Sequence, residues 1–178
     1  MQYNLADLWE RVVDTVPERE SLICGDRRLT YAEADERANR LAHYLAAQGV
    51  GPGDHVALYL YNGTEYLEGM LAAFKLRAVP VNVNYRYVEE ELRYLLDDSD
   101  AKAVVFHREF APKLDAMRGQ RPLLHSFVAV EDGSGAALDA LSAVDYEQAL
   151  AAASPERGFD ERSPDDLYIL YTGGTTGM

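Results

Sequence analysis

Short runs of β-branched and aromatic residues alternate along this chain with amphipathic stretches of helical period, and that alternation limits the folds open to it. The apolar runs are residues 54–60, 78–83, 102–106, 125–130 and 167–171. Between them the spacing predicts helices over 64–76, 89–96, about 108–117 and about 146–153. Strands that regularly give way to helices form a parallel sheet flanked by helices, so the expected fold class is α/β. In such sheets ligands sit beyond the carboxyl ends of the strands.

Before this pattern starts, Asn4 is placed to cap a helix carrying Leu5, Leu8, Trp9, Val12 and Val13, which ends before Pro17. Residues 21–24 and 27–30, joined by Gly25 and Asp26, read as a β-hairpin. Thr30 and Glu33 have capping-box spacing, and the helix they open puts Ala34, Ala38, Leu41, Ala42 and Leu45 on one face. Asn62, Gly63, Thr64 and Glu65 suit the cap of the next helix, whose apolar side is expected to be Tyr66, Leu67, Met70, Leu71 and Phe74.

The last apolar run, Leu167 to Tyr171, is expected to be a buried strand. It breaks into Thr172, Gly173, Gly174, Thr175, Thr176 and Gly177. Glycines let consecutive backbone N–H groups turn toward a polyphosphate, and threonine hydroxyls donate further hydrogen bonds. These residues are therefore the candidate phosphate-binding site; the alternative is a Gly/Thr-rich turn with no ligand. A Walker loop is excluded, because its first glycine would fall at Thr172.

Other motifs carry less. Gly49, Gly51 and Gly53 follow a helix and precede a strand, the reverse of a dinucleotide fingerprint, and read as a helix cap and turn. Asp97, Asp98 and Asp100 lack a calcium loop's third ligand, since Lys102 falls in its place, and read as a solvated helix end. His43, His55, His107 and His125 are scattered without metal-ligand spacing, so no metal site is expected. Cys24 is expected to be a small buried hydrophobe. Tyr85, Arg86, Tyr87, Arg93 and Tyr94 form an aromatic and basic cluster whose neighbouring glutamates favour packing and ion pairs.

A net charge of −13, from 30 acidic against 17 basic side chains, disfavours nucleic acid and anionic membrane surfaces as partners. The amino terminus has no signal-like region, no stretch has the length of a membrane span, and the single cysteine fits a reducing compartment; a cytoplasmic location is expected.

The run from Tyr171 to Gly177 resembles the phosphate loop of the adenylate-forming enzymes, which include acyl-CoA synthetases, luciferases and peptide-synthetase adenylation domains. Gly173 stands where many members have serine. The stretch 29–33, the segment 74–82 with Arg77 where glycine is frequent, and the run 81–94 are also similar to that family. The last looks most like bacterial ligases for fatty acids or sterol side chains. The resemblance implies that residues 1–178 are the front part of a large amino-terminal AMP-binding domain, cut inside the phosphate loop. It implies ATP, Mg2+ and coenzyme A as cofactors or co-substrates, a small-molecule carboxylate as substrate, and residues 172–177 as the ATP site. It implies no catalytic residue within the chain, because the family's magnesium-assisting glutamate, ribose-binding aspartate and catalytic lysine fall later. The chain alone is expected to be inactive. The other class considered is a non-catalytic α/β module that binds a protein partner or a nucleotide and self-associates.

Overall fold

The structure, a computed structural model, describes residues 3–117 and 123–171. Helix α1 (Leu5–Thr15) begins at Asn4, whose Oδ1 accepts from the Ala6 N–H at 2.6 Å while the Asp7 carboxylate accepts from the Asn4 N–H at 2.9 Å. Strands β1 (Glu20–Cys24) and β2 (Arg27–Thr30) form the expected antiparallel hairpin. The Thr30 capping box is present: the Thr30 hydroxyl accepts from the Glu33 N–H at 3.2 Å, and the Thr30 N–H donates to the Glu33 carboxylate at 2.8 Å. It opens α2 (Tyr31–Ala47), whose Ala34, Ala38, Leu41, Ala42 and Leu45 are all fully buried. Gly49, at φ +85°, closes that helix in the left-handed conformation that glycine adopts at least cost.

The parallel sheet follows. Strand β3 (His55–Tyr59) leads through α3 (Thr64–Lys75) to β4 (Val79–Asn82), and α4 (Glu89–Asp98) leads to β5 (Ala101–His107). A short 3-10 turn and α5 (Ala111–Asp115) follow; then come β6 (Ser126–Val130), β7 (Val144–Asp145), α6 (Tyr146–Ala151) and β8 (Ile169–Leu170). The six strands β3 to β8 lie in the order β7-β6-β5-β3-β4-β8, every pair parallel. Alternate residues face opposite layers. Ala57, Tyr59, Val104 and Phe106 pack with Leu92, Leu95 and Leu114 of α4 and α5, while Val56, Leu58, Ala103 and Val105 pack with Leu41, Leu45, Ala72 and Leu150 of α2, α3 and α6.

Four expectations need correction. Cys24 is exposed, because hairpin β1 turns only Leu22 inward. Helix α3 has Gly63 as its N-cap and no side-chain cap. Its buried face includes Glu68 and Lys75, both without solvent exposure, while Leu67 is exposed. The reason is charge supplied by other elements. Glu68 accepts from the Tyr146 hydroxyl at 2.6 Å and the Arg37 Nε at 3.0 Å, and the Lys75 ammonium pairs with Glu10 and, at 2.8 Å, with Asp35. Last, the run 167–171 is not buried: among the described residues β8 pairs only with β4, and Leu167, Tyr168 and Leu170 are exposed.

Candidate functional site

The chain crosses from β3 to β4 on one side and then returns past β3 to build β5 and β6 on the other, so the switch in direction lies between β3 and β5. Ligands commonly enter such a crevice. Here it is filled. The Tyr61 N–H donates to His107 Nδ1 at 3.1 Å, and the Tyr61 ring packs against Tyr85 at 4.7 Å and Phe110 at 5.3 Å. Accepting at Nδ1 fixes the neutral His107 tautomer with its proton on Nε2, and burial lowers the His107 pKa against the pull of Asp132, Glu65 and Glu109.

The open space lies one strand over, at the carboxyl ends of β3, β4 and β8. A cleft of about 330 Å3 is lined there by Leu60, Asn62, Tyr66, Asn82, Tyr85 and Tyr171, among others. Its polar groups come from turns that must leave the sheet at that edge. Asn84 holds the turn after β4, its Oδ1 accepting from the Arg86 N–H at 3.0 Å and its carbonyl from the Tyr87 N–H at 3.0 Å. A larger cavity, about 500 Å3, lies between α1 and residues 157–162, but its Arg157 and Arg162 are already committed to Asp14, Asp35, Asp7 and Glu10 at 2.7–2.9 Å.

Residues 172–177, the sequence-predicted phosphate site, lie outside the described residues; the residue that leads into them does not. Tyr171 lines the cleft, and its hydroxyl donates to Asp98 Oδ2 at 2.7 Å. Burial, together with the bond to Asp98 and the nearby negative charge, pushes the Tyr171 pKa up, so the phenol stays a donor. At the other end of β8, Asp166 accepts from Asn4 Nδ2 at 2.9 Å, the Ser163 N–H at 3.0 Å and Arg77 Nε at 3.1 Å. Burial works to raise the Asp166 carboxyl, and these donors outweigh it and hold the pKa below the usual carboxylate value.

The sequence carries no signal for Asp166, and it marks Asn62 only as a helix cap and Asn82 only as part of the family-like segment 74–82, not as cleft residues. It had flagged Arg77 as a departure at a glycine position, and the backbone shows why glycine suits it, since Arg77 has φ +57°. The basic and aromatic cluster divides as expected: Arg93 pairs with Glu89 at 2.7 Å, and the Arg86 guanidinium lies 5.2 Å from the centre of the Tyr85 ring. Among the described residues no three His, Cys, Asp or Glu side chains are grouped to hold a metal ion, and no helix is long and apolar enough to cross a membrane.

A parallel sheet with helices on both faces and a polar, tyrosine-lined cleft at its strand ends defines the class as an α/β domain. Residues 9–178 match the AMP-binding enzyme family, and the chain belongs to that family. It is 52% identical, over 177 residues, to the 3-oxocholest-4-en-26-oate–CoA ligase of Rhodococcus rhodochrous, a match covering 99% of this chain and 32% of that protein. It is 49% identical over 175 residues to a medium/long-chain-fatty-acid–CoA/3-oxocholest-4-en-26-oate–CoA ligase of Mycobacterium tuberculosis, covering 98% of this chain and 32% of the relative. Among solved structures, an anthranilate CoA ligase in complex with anthranoyl-AMP superposes with a TM-score of 0.88 at 25% identity, covering 99% of this chain and 33% of that one. The inhibitor-bound N-terminal domain of FACL13 from Mycobacterium tuberculosis gives 0.83 at 31% identity, covering 99% and 42%. The fold is thus that of the front of the amino-terminal domain of adenylate-forming CoA ligases, and the chain spans about a third of the length of its curated relatives.

Proposed function

We propose that these residues are the phosphate-binding front of an ATP-dependent, AMP-forming acyl-CoA ligase acting on a fatty-acid or sterol-side-chain carboxylate. The observation that carries this reading is the position of Tyr171, which follows strand β8 at the carboxyl edge of a parallel sheet, lines an open cleft and leads into residues 172–177. The acyl class follows from the relatives, whose names specify fatty acids and a sterol acid.

In the reaction a carboxylate oxygen attacks the α-phosphorus of ATP and pyrophosphate leaves; coenzyme A thiolate then attacks the acyl carbonyl and AMP leaves. The contribution of this chain is electrostatic. Backbone N–H groups at Gly173, Gly174 and Gly177, with the hydroxyls of Thr172, Thr175 and Thr176, suit the charge that grows on the departing pyrophosphate. Mg2+ belongs to this reading as the companion of ATP. The described residues offer it no cluster of ligands, and no step is assigned to it. A cytoplasmic location belongs to the same proposal.

The test is acyl-dependent exchange of labelled pyrophosphate into ATP. The full-length protein is expected to catalyse exchange with a fatty acid or a sterol acid, and residues 1–178 alone are expected not to. Exchange by the 178-residue piece, or none by the full-length protein with either acid class, would overturn the reading. One observation favours the non-catalytic alternative, the exposed Leu167, Tyr168 and Leu170 along the β8 edge. That alternative predicts concentration-dependent self-association and no shift of Tm with ATP.

A further inference from the structure

Among the described residues, the strand that leads to residues 172–177 makes few sheet contacts. β8 adds only Ile169 and Leu170 to the sheet, in register with Val81 and Asn82 of β4, and its outer side pairs with nothing among the described residues. Two parallel rungs are weak anchorage. The stronger attachment is Asp166, three residues before the strand.

The Asp166 side chain is 7% exposed and its carboxylate serves three donors from three parts of the chain: Asn4, Ser163 and Arg77. Asn4 is itself fixed, because its Oδ1 caps α1 and its Nδ2 also donates to the Phe74 carbonyl at 3.1 Å. Arg77 is the informative member. At φ +57° it holds a conformation that glycine would take without strain. The backbone bond formed there, from the Gly53 N–H to the Arg77 carbonyl at 2.8 Å, is one that any residue makes. The guanidinium is what glycine cannot supply, and its partner is Asp166.

Arg77 leads into β4 and Asp166 leads into β8, so the pair ties together the amino ends of two adjacent parallel strands whose carboxyl ends flank the cleft. The geometry points to Arg77 and Asp166 as positioning residues that set the register of β8 on β4 and hence the position of Tyr171, the cleft residue that leads into the proposed ATP-binding residues 172–177. This rests on the phosphate-loop reading of those residues. Neither side chain touches the cleft. A slip of one residue would move Tyr171 by about 3.3 Å, and a misplacement of even ~1 Å can cost about a hundredfold in rate.

The experiment compares Arg77→Gly and Asp166→Asn with the wild type in the full-length protein, by hydrogen exchange and by the pyrophosphate exchange assay. Both variants are expected to exchange the amides of Ile169, Leu170 and Tyr171 about tenfold faster. Both should raise the KM for ATP by roughly tenfold or more and leave the KM for the acid unchanged. Arg77→Gly should keep its Tm, since glycine relieves the φ strain, so it carries the test if Asp166→Asn folds poorly. Wild-type protection of β8 in both variants overturns the proposal. So does faster β8 exchange with an unchanged KM for ATP, which reduces the pair to a structural contact. Absence of any exchange activity in the wild type removes the ligase reading instead, and amide protection still decides whether the pair clamps β8.

Discussion

Replacing Lys75 by methionine tests whether the charges buried under α3 hold the helical layer together. Lys75 has no solvent exposure and its ammonium faces Glu10 and Asp35, whose side chains are 15% and 5% exposed. Methionine fills the volume of the lysine stem, so the loss is electrostatic rather than a cavity. Removing one partner of a buried ion pair costs about 3–5 kcal/mol. The remaining donors favour the low end of that range. Asp35 keeps the Trp9 indole N–H at 3.0 Å and Arg157 Nε at 2.8 Å, and Glu10 keeps Arg162 at 2.8 and 2.9 Å. The expected loss is therefore about 3 kcal/mol, a fall in Tm of about 6–12 °C for a chain of this length.

The pH dependence gives a second reading of the same variant. Burial works to raise the Glu10 carboxyl, and Arg162 and Lys75 overcome it, so its folded pKa lies below the ordinary 4.5. A carboxyl depressed in this way stabilises the fold above the unfolded value and loses that contribution as pH falls through the folded one. Without Lys75 the depression shrinks. The stability deficit of Lys75→Met should thus be largest near pH 7 and narrow at about pH 4, and Lys75→Met with Glu10→Gln should recover part of it. Denaturant melts at both pH values decide. A deficit below about 1 kcal/mol, the value of an exposed pair, or one equal at both pH values, would refute the reasoning.

Three further variants probe single contacts. Tyr146→Phe removes the hydroxyl that bonds buried Glu68 at 2.6 Å; a charge-assisted bond of this kind is worth about 1.5–3 kcal/mol, and urea unfolding should register that loss. At Gly69 an added Cβ would lie 2.9 Å from Leu58 Cδ2, so Gly69→Ala should destabilise by about 1–2 kcal/mol despite its helix propensity, and adding Leu58→Val should restore part of it in thermal melts. Tyr59 is fully buried and its hydroxyl has no partner among the described residues, and burial together with the charge of Tyr61 and Glu109 pushes its pKa up to about 12; Tyr59→Phe should be neutral or stabilise by about 1 kcal/mol, and a clear loss would reveal a partner.

Much of the architecture is legible in the sequence because it is written in local chemistry. The Thr30 and Glu33 cap, the left-handed Gly49 and the strand and helix alternation each depend on residues close in the chain, and the structure has all of them. What was misread depends on distant partners. Hydropathy placed Leu67 on the buried side of α3 and left Glu68 and Lys75 outside, because the groups that neutralise them arrive from Arg37 and Tyr146, and from Glu10 and Asp35. The two-residue β7 is too short to carry a period, and the apolar run at 167–171 read as core because an edge strand of a parallel sheet has the same composition as an inner one. Glycines and threonines mark 172–177 as the candidate site in the sequence, and those residues lie outside the described ones. Asp166 carried no signal of its own, and the oddity that could have led to it was Arg77 at a glycine position.

The pairing of β8 with β4 also sets a timetable for synthesis. Ile169 meets Val81, and the separation, 169 minus 81, is 88 residues. At about 5–20 residues per second, β4 emerges from the ribosome roughly 4–18 s before its outer neighbour exists. During that interval Val81 and Asn82 present an open row of peptide groups next to the still-forming sheet, a template for pairing with the wrong strand. The order of manufacture therefore makes the outer side of β4 the place where a nascent chain of this fold is most exposed to misassembly, and a holding chaperone would act there to greatest effect.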